Sequence, residues 1–249
     1  MRFTTDALVI REMKIGERDR LVTLMTREFG VIKAYAAGAK SFKSKRGSAT
    51  GLLSYSNFTI EKRADNNYRI TEATTINTFF GAGSDIISLS LSQYFCELCL
   101  IMGPQDESAE DFLRLILNSL YFLTEKKRDP YLIKAITELR IASISGYYPN
   151  LVACDSCGKF EDNIMYFELQ NGCLFCGDCK DNANVLPINM TLLSAMRHIV
   201  FSKLEQLYSF EIPHKSAVSL SQLTESYIRI QTDHHFLTLD FFNSLNKGS

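Results

Sequence analysis

The chain has 249 residues, of which 46 % are hydrophobic and 22 % charged, ordinary globular usage that excludes wholesale disorder and suits one large or two modest domains. No apolar run approaches the roughly 18 residues of a membrane span, and the N-terminal stretch turns charged before a signal-peptide core can form, so the chain reads as soluble and cytoplasmic. A net charge of −1 conceals a division, because residues 1–83 hold 14 Lys and Arg against 8 Asp and Glu, while the remainder holds 13 against 20. The basic first part favours nucleic acid or an acidic protein surface, and the acidic remainder a different partner.

Residues 5–75 carry the marks of β-structure. A first strand, rich in Leu8, Val9 and Ile10, runs to Ile15 and ends in the charged turn Gly16-Glu17-Arg18-Asp19. Strands over 21–26 and 31–36 follow, parted by a turn at Gly30, although 21–29 can also be read as a helix. Residues 57–61 and 68–71 alternate polar and apolar side chains, as strands with one buried face do. Asp65-Asn66-Asn67 supplies turn chemistry between them. Five short strands fit a small barrel or sandwich, and an OB-fold has that strand count.

After Gly81-Ala82-Gly83 the period changes to that of helices. Leu91, Phe95, Leu98 and Met102 share one face, as do Phe112, Ile116, Leu120 and Leu123. Asp129 and Pro130 suit the cap and first position of the next helix, which presents Leu132, Ile136 and Leu139 and stops near Gly146. Two later helices carry Leu193, Met196, Val200 and Leu204, then Leu220, Leu223, Tyr227 and Ile230. Between them and the earlier helices lies a cysteine-rich insert, 154–179. The predicted fold class is α+β: an N-terminal β-barrel domain over 1–80, then a mainly helical domain over 81–249 with a small module at about 150–186.

Seven cysteines in a chain without secretory marks suggest metal ligands or catalytic thiols rather than disulfides. Cys154-Asp-Ser-Cys157 and Cys176-Gly-Asp-Cys179 are two C-x-x-C knuckles with 18 residues between them, the spacing of a four-cysteine zinc site. Cys173-Leu-Phe-Cys176 repeats the pattern, so Cys173 is either a spare thiol or a substitute for one neighbour. A four-thiolate site leaves no position for water, which makes one structural zinc ion the expectation. Thioredoxin-type chemistry needs a βαβ setting that is missing here. Cys96 and Cys99 sit at helical spacing among leucines and read as buried packing residues.

The strongest charge feature is the segment Gly38 to Gly47, in which Lys40, Lys43, Lys45 and Arg46 surround Phe42 with no carboxylate. A basic loop on a barrel can track phosphates, with an aromatic ring to stack on a base. The bland alternative is a solvated surface loop. Arg18 and Arg20 are further candidates, although Glu17 and Asp19 stand beside them as salt partners, and Lys33, Lys62 and Arg63 are weaker ones. Phosphate-loop, dinucleotide, H-E-x-x-H and deaminase patterns are all missing, and the four histidines stand beside no evident nucleophile. The expectation is a binding protein and not an enzyme.

These features together resemble a known family. Residues 5–40, from Thr5-Asp6-Ala7-Leu8 through Gly16-Glu17-Arg18-Asp19-Arg20, Thr26-Arg27-Glu28-Phe29-Gly30 and Ala37-Gly38-Ala39-Lys40, are similar to the start of the bacterial RecO family of recombination mediators. Glu138-Leu139-Arg140 and Gly146-Tyr147-Tyr148-Pro149-Asn150-Leu151, leading into Cys154-x-x-Cys157-Gly158, resemble that family's entry into its zinc module, and Gly172 with Cys176-x-x-Cys179 its exit. The family often has a second glycine where this chain has Cys173. The resemblance implies an OB-fold, a helical domain and a zinc module held by Cys154, Cys157, Cys176 and Cys179. It implies binding and annealing of single- and double-stranded DNA, with Arg18 and the basic loop toward the DNA. It also implies work with RecR and on single-strand-binding protein so that RecA can load, in the nucleoid. An acidic tail of single-strand-binding protein would find cations at Lys126-Lys127-Arg128, or at Lys134 and Arg140. The rival readings are an OB-fold zinc-ribbon factor for RNA or transcription, and a scaffold that binds no polyanion.

Overall fold

The computed structural model describes residues 1–39, 46–63, 67–79, 85–180 and 185–246. The fold is mixed α+β, and contacts divide it into two compact units: Met1–Glu125 with Leu237–Ser249, and Lys126–Phe236.

In the first unit five strands, β1 (Arg2–Ile15), β2 (Asp19–Thr26), β3 (Gly30–Ala36), β4 (Ser54–Lys62) and β5 (Tyr68–Thr78), pair in the closed order β1-β2-β3-β5-β4. The long β1 serves two neighbours, Ala7 standing opposite both Thr26 of β2 and Ser56 of β4. A bulge between Val9 and Arg11 bends it from one partner towards the other. The interior is filled by Ala7, Val9, Val22, Leu24, Ile32, Ala34, Phe58, Ile60 and Ile70. The alternation read at 57–61 points Phe58 and Ile60 inward, as a period of two requires.

The stretch 21–29, open to a helical reading, is strand to Thr26 and a turn beyond. Its alternation is blurred because β2 is buried on both faces from Val22 to Thr26. Helices α2 (Ile86–Met102) and α3 (Glu110–Thr124) pack against the strands from outside, α2 on β1 and α3 on β1 and β2. A four-residue helix, α1 (Arg46–Ala49), precedes β4. Cys96 and Cys99 are buried on α2, where burial pushes the Cys96 thiol up to about 12, so both are packing residues as expected. The last helix, α7 (Leu237–Asn246), docks on α2, whose Glu97 accepts hydrogen bonds from the Leu237 and Thr238 amides at 3.3 and 3.0 Å.

The second unit pairs α4 (Pro130–Ile144) with α6 (His214–Thr232) and carries α5 (Met190–Phe201). Asp129 caps α4 by accepting from the Tyr131 amide at 2.8 Å, with Pro130 in the first turn, as the sequence suggested. The helix that was to run on to Leu204 stops at Phe201, where Ser202 turns extended, and Leu204 opens a short 3-10 turn. The cysteine-rich insert is a four-stranded sheet in the order β6-β8-β7-β9, from β6 (Asn150–Cys154), β7 (Ile164–Glu168), β8 (Cys173–Phe175) and β9 (Val185–Asn189).

One expectation fails here. Lys134 is 0 % exposed and cannot receive an acidic tail. Its ammonium lies 3.0 Å from carboxylate oxygens of both Glu138 and Glu225 and donates to the Ser221 carbonyl and hydroxyl at 3.1 Å. Glu138, equally buried, also accepts from the Thr224 hydroxyl at 2.6 Å. The pair sits one turn apart on α4 and binds α4 to α6. Arg140 is also committed, donating to the Val200 carbonyl at 2.7 Å at the end of α5. Replacing Lys134 by Ala strands a buried carboxylate and should cost about 3–5 kcal/mol of stability, read as a fall in the urea midpoint. The double variant Lys134→Met with Glu138→Leu should recover most of that loss.

Candidate metal centre and nucleic-acid interface

The two C-x-x-C knuckles stand at the ends of neighbouring strands. Cys154 closes β6, and Cys176 follows β8, which pairs with β6 through Asn150–Cys173 and Cys154–Leu174. Each knuckle then turns back on itself. The Gly158 amide donates to the Cys154 carbonyl at 2.9 Å, and the Cys179 and Lys180 amides donate to the Cys176 carbonyl at 3.2 and 3.1 Å. The result brings the sulfurs of Cys154, Cys157, Cys176 and Cys179 within 4.8 Å of one another, with 3.7 Å between Cys157 and Cys176. Four thiols so placed could hold a metal ion.

Burial raises the Cys154 thiol, but the amides of Cys157, Cys176 and Ser156 turned on its sulfur more than offset this and hold it at about 6. Cys179 is pushed the other way, up to about 12, by hydrogen bonding with the Cys157 and Cys176 thiols. The crowding of the four thiols thus favours one thiolate and opposes a second negative charge beside it. Cys173 takes no part in this group. It is buried on β8, and burial together with Asp155 and Glu168 pushes its thiol up to about 11.

Gly172 belongs to this architecture. Its φ is +65°, and a Cβ there would lie 2.6 Å from the Tyr227 hydroxyl of α6. Tyr227 donates that hydroxyl to the Tyr147 carbonyl at 3.1 Å and rests its ring on Phe167 of β7. Gln231, one turn on, donates to the Leu169 and Gln170 carbonyls. The glycine lets α6 approach the β7–β8 turn closely enough for these bonds.

The cations expected to meet nucleic acid divide in the structure. Arg18 is exposed in the turn before β2. Arg20 is half-buried and donates to the Gly47 carbonyl at 2.9 Å and the Thr50 hydroxyl at 3.3 Å, with Glu12 at 3.4 Å as its acidic partner in place of Glu17 or Asp19. Asp19 instead accepts from the Gly38 amide at 2.7 Å and from the Tyr35 hydroxyl. These adjacent residues therefore fix the two ends of the basic segment. Lys40, Lys43 and Lys45 lie outside the described residues, as does the side chain of Arg46, whose backbone begins α1.

A second basic feature is assembled by the fold. A groove of about 370 Å³ is lined by Lys33, Arg63 and Arg69, with Tyr35, Tyr68, Leu21 and Asn67. It lies where β3 and β5 run parallel, Tyr35 beside Arg69 and Ala34 beside Tyr68. That non-local pairing assembles cations from three places in the chain. Near α4, Lys126, Lys127 and Arg128 line another cleft, of about 410 Å³, whose charge is mixed because Asp129 and Glu211 share it and Glu211 pairs with Arg128 at 2.9 Å.

A strand barrel with a basic, tyrosine-lined groove, and a second unit with four cysteines that could hold a metal ion, define a mixed α+β protein. Residues 1–79 match the family model described as Recombination protein O N terminal, and residues 83–240 the one described as Recombination protein O C terminal. The chain is 30 % identical to the DNA repair protein RecO of Acetivibrio thermocellus over 98 % of its own length and 97 % of the relative's. It is 27 % identical to that of Caldicellulosiruptor bescii over 96 % of each chain, and 25 % identical to one from Dehalococcoides mccartyi over 99 % and 97 %. The chain belongs to the RecO family, a family of DNA-repair mediators and not of enzymes.

The cysteine geometry makes a clear distinction between thiols. In a cobalt(II) titration Cys154→Ser and Cys176→Ser should lose the thiolate-to-metal absorption of the parent chain, whereas Cys173→Ser should keep it with unchanged stoichiometry.

Proposed function

We propose that this chain is a DNA repair and recombination mediator whose barrel is an OB-fold that binds DNA strands. The observation that carries the reading is the closed barrel with its cation- and tyrosine-lined groove, in a chain of the RecO family. Strand-tolerant binding needs phosphate neutralisation and flat rings for bases, and Lys33, Arg63 and Arg69 beside Tyr35 and Tyr68 supply both. Arg18, exposed in the turn before β2, and the sequence's Lys40, Lys43, Lys45 and Arg46 are the further phosphate contacts in this reading, with Arg20 holding the segment's end at Gly47. Annealing then requires no catalytic group: two screened backbones brought together with their bases accessible can pair.

The four cysteines fit one structural zinc ion. Thiolates about 2.3 Å from a tetrahedral zinc stand about 3.8 Å apart, close to the 3.7 Å between Cys157 and Cys176. The ion would join β6 to the turn after β8, and with four sulfur ligands it would have no site for water. The partners in this reading are RecR, the acidic C-terminal tail of single-strand-binding protein and, indirectly, RecA, at the nucleoid in the cytoplasm. No helix among the described residues is long and apolar enough to cross a membrane. With Lys134 buried, Lys126, Lys127 and Arg128 remain as the tail's cationic contacts.

The test is annealing of two labelled complementary oligonucleotides across a salt series. Acceleration that fades as salt rises is expected, and the double variant Lys33→Ala with Arg69→Ala should weaken single-strand binding and flatten the log–log salt dependence by about one phosphate contact or more. No binding of either DNA form at low salt would overturn the reading. Tight binding to structured RNA alone would favour a zinc-ribbon RNA factor.

A further inference from the structure

Arg197 of α5 makes an unusual set of contacts for a surface-side helix residue. Its Nε donates to the Leu151 carbonyl at 2.8 Å, and one terminal nitrogen donates to the carbonyls of Val152 and Phe160, each at 2.9 Å. The other terminal nitrogen meets Glu161 at 2.9 Å, and the guanidinium lies 4.2 Å from the centre of the Phe160 ring. Four of the five N–H donors are thereby used, and the side chain is only 14 % exposed.

The acceptors are not a random choice. Leu151 and Val152 lead into Cys154, and Phe160 and Glu161 lead out of Cys157, so one planar group spans both stems of the first knuckle. The need arises from the sheet. The β6–β8 pairing breaks between Asn150 and Cys154, and the carbonyls of Leu151 and Val152 receive their donors from Arg197. Across the cluster Asp162 accepts from the Lys159 ammonium and from the Gly177 amide, tying the exit of the first knuckle to the second. The far end of α5 is fixed by Arg140 of α4. A chain of directional bonds thus runs from α4 through α5 to the loop that carries Cys154 and Cys157.

We propose that Arg197 is a positioning residue of the metal centre, holding both stems of the first knuckle so that its two sulfurs are set for the ion before it binds. This rests on the metal reading of the four cysteines. A lysine keeps the charge and can still meet Glu161, but its point-like ammonium cannot bridge carbonyls on both stems.

The experiment is zinc affinity of the full chain, by competition with a chromophoric chelator, for the parent and for Arg197→Lys, Arg197→Gln and Glu161→Gln. Both arginine variants should bind zinc about 10–100-fold more weakly, the usual effect of losing a group that orients metal ligands. Glu161→Gln, which removes only the exposed ion pair, should stay within about twofold of the parent. A residue acting on the fold alone would lower the stability of the metal-free and metal-loaded forms equally and leave affinity unchanged, and that result, or rescue by lysine, overturns the proposal. Should the variants fail to fold, the parent suffices. Coupling is reciprocal, so the Arg197 Nε proton must exchange faster once zinc is stripped, and unchanged protection would also overturn the proposal. A parent chain that takes up no zinc would instead defeat the metal reading itself.

Discussion

The barrel of the first unit closes on a short parallel seam. β3 and β5 meet through Ala34 with Tyr68 and Tyr35 with Arg69, while the other strand contacts are antiparallel and longer. Without that seam the strands would form an open sheet with two edges, each a template for another chain. With it, Ala34 turns into a closed core filled by alanine, valine, leucine and isoleucine side chains and one phenylalanine. The same seam brings Arg69 alongside Tyr35 and Lys33 on the outer surface, with Tyr68, packed against the core, at the edge of the groove. Closure and the basic groove are two results of one pairing.

In the second unit a different constraint rules. Four sulfurs within 4.8 Å repel one another as anions, and as thiols they offer only weak hydrogen bonds. The protein holds them together through the backbone: amides turned on Cys154, tight turns at both knuckles, and carbonyls gripped by a guanidinium from a helix. The buried Lys134–Glu138–Glu225 cluster does similar work between α4 and α6, where ionic groups satisfied on every side fix how two helices meet.

Local patterns were legible in the amino-acid sequence, and long-range consequences were not. Alternation revealed β4 and β5, and the Asp129–Pro130 start of α4 was plain because capping is decided within four residues. Knuckle spacing marked the cysteines for the same reason, although only the strand position of Cys173 shows that it lies outside the cluster. Lys134 looked like a surface cation, since its distant partners Ser221 and Glu225 lie about 90 residues away in the sequence and no periodicity announces them. Lys33 and Arg63 seemed weak alone because their groove depends on the β3–β5 pairing. The four strands of the cysteine module were missed because they are three to five residues long, too short for a period to show.

The docking of α7 on α2 has a consequence for how the molecule is made. The first unit is discontinuous, leaving off at Glu125 and resuming at Leu237 after the whole second unit has been threaded. During synthesis α2 therefore emerges without the helix that later packs on it, and stays so while more than a hundred further residues are added. At about 5–20 residues per second that interval lasts for seconds, longer than a small barrel or helix pair takes to fold. The nascent barrel must wait for a helix made more than a hundred residues later, and it is in that window that a chaperone or an unwanted neighbour has its opportunity.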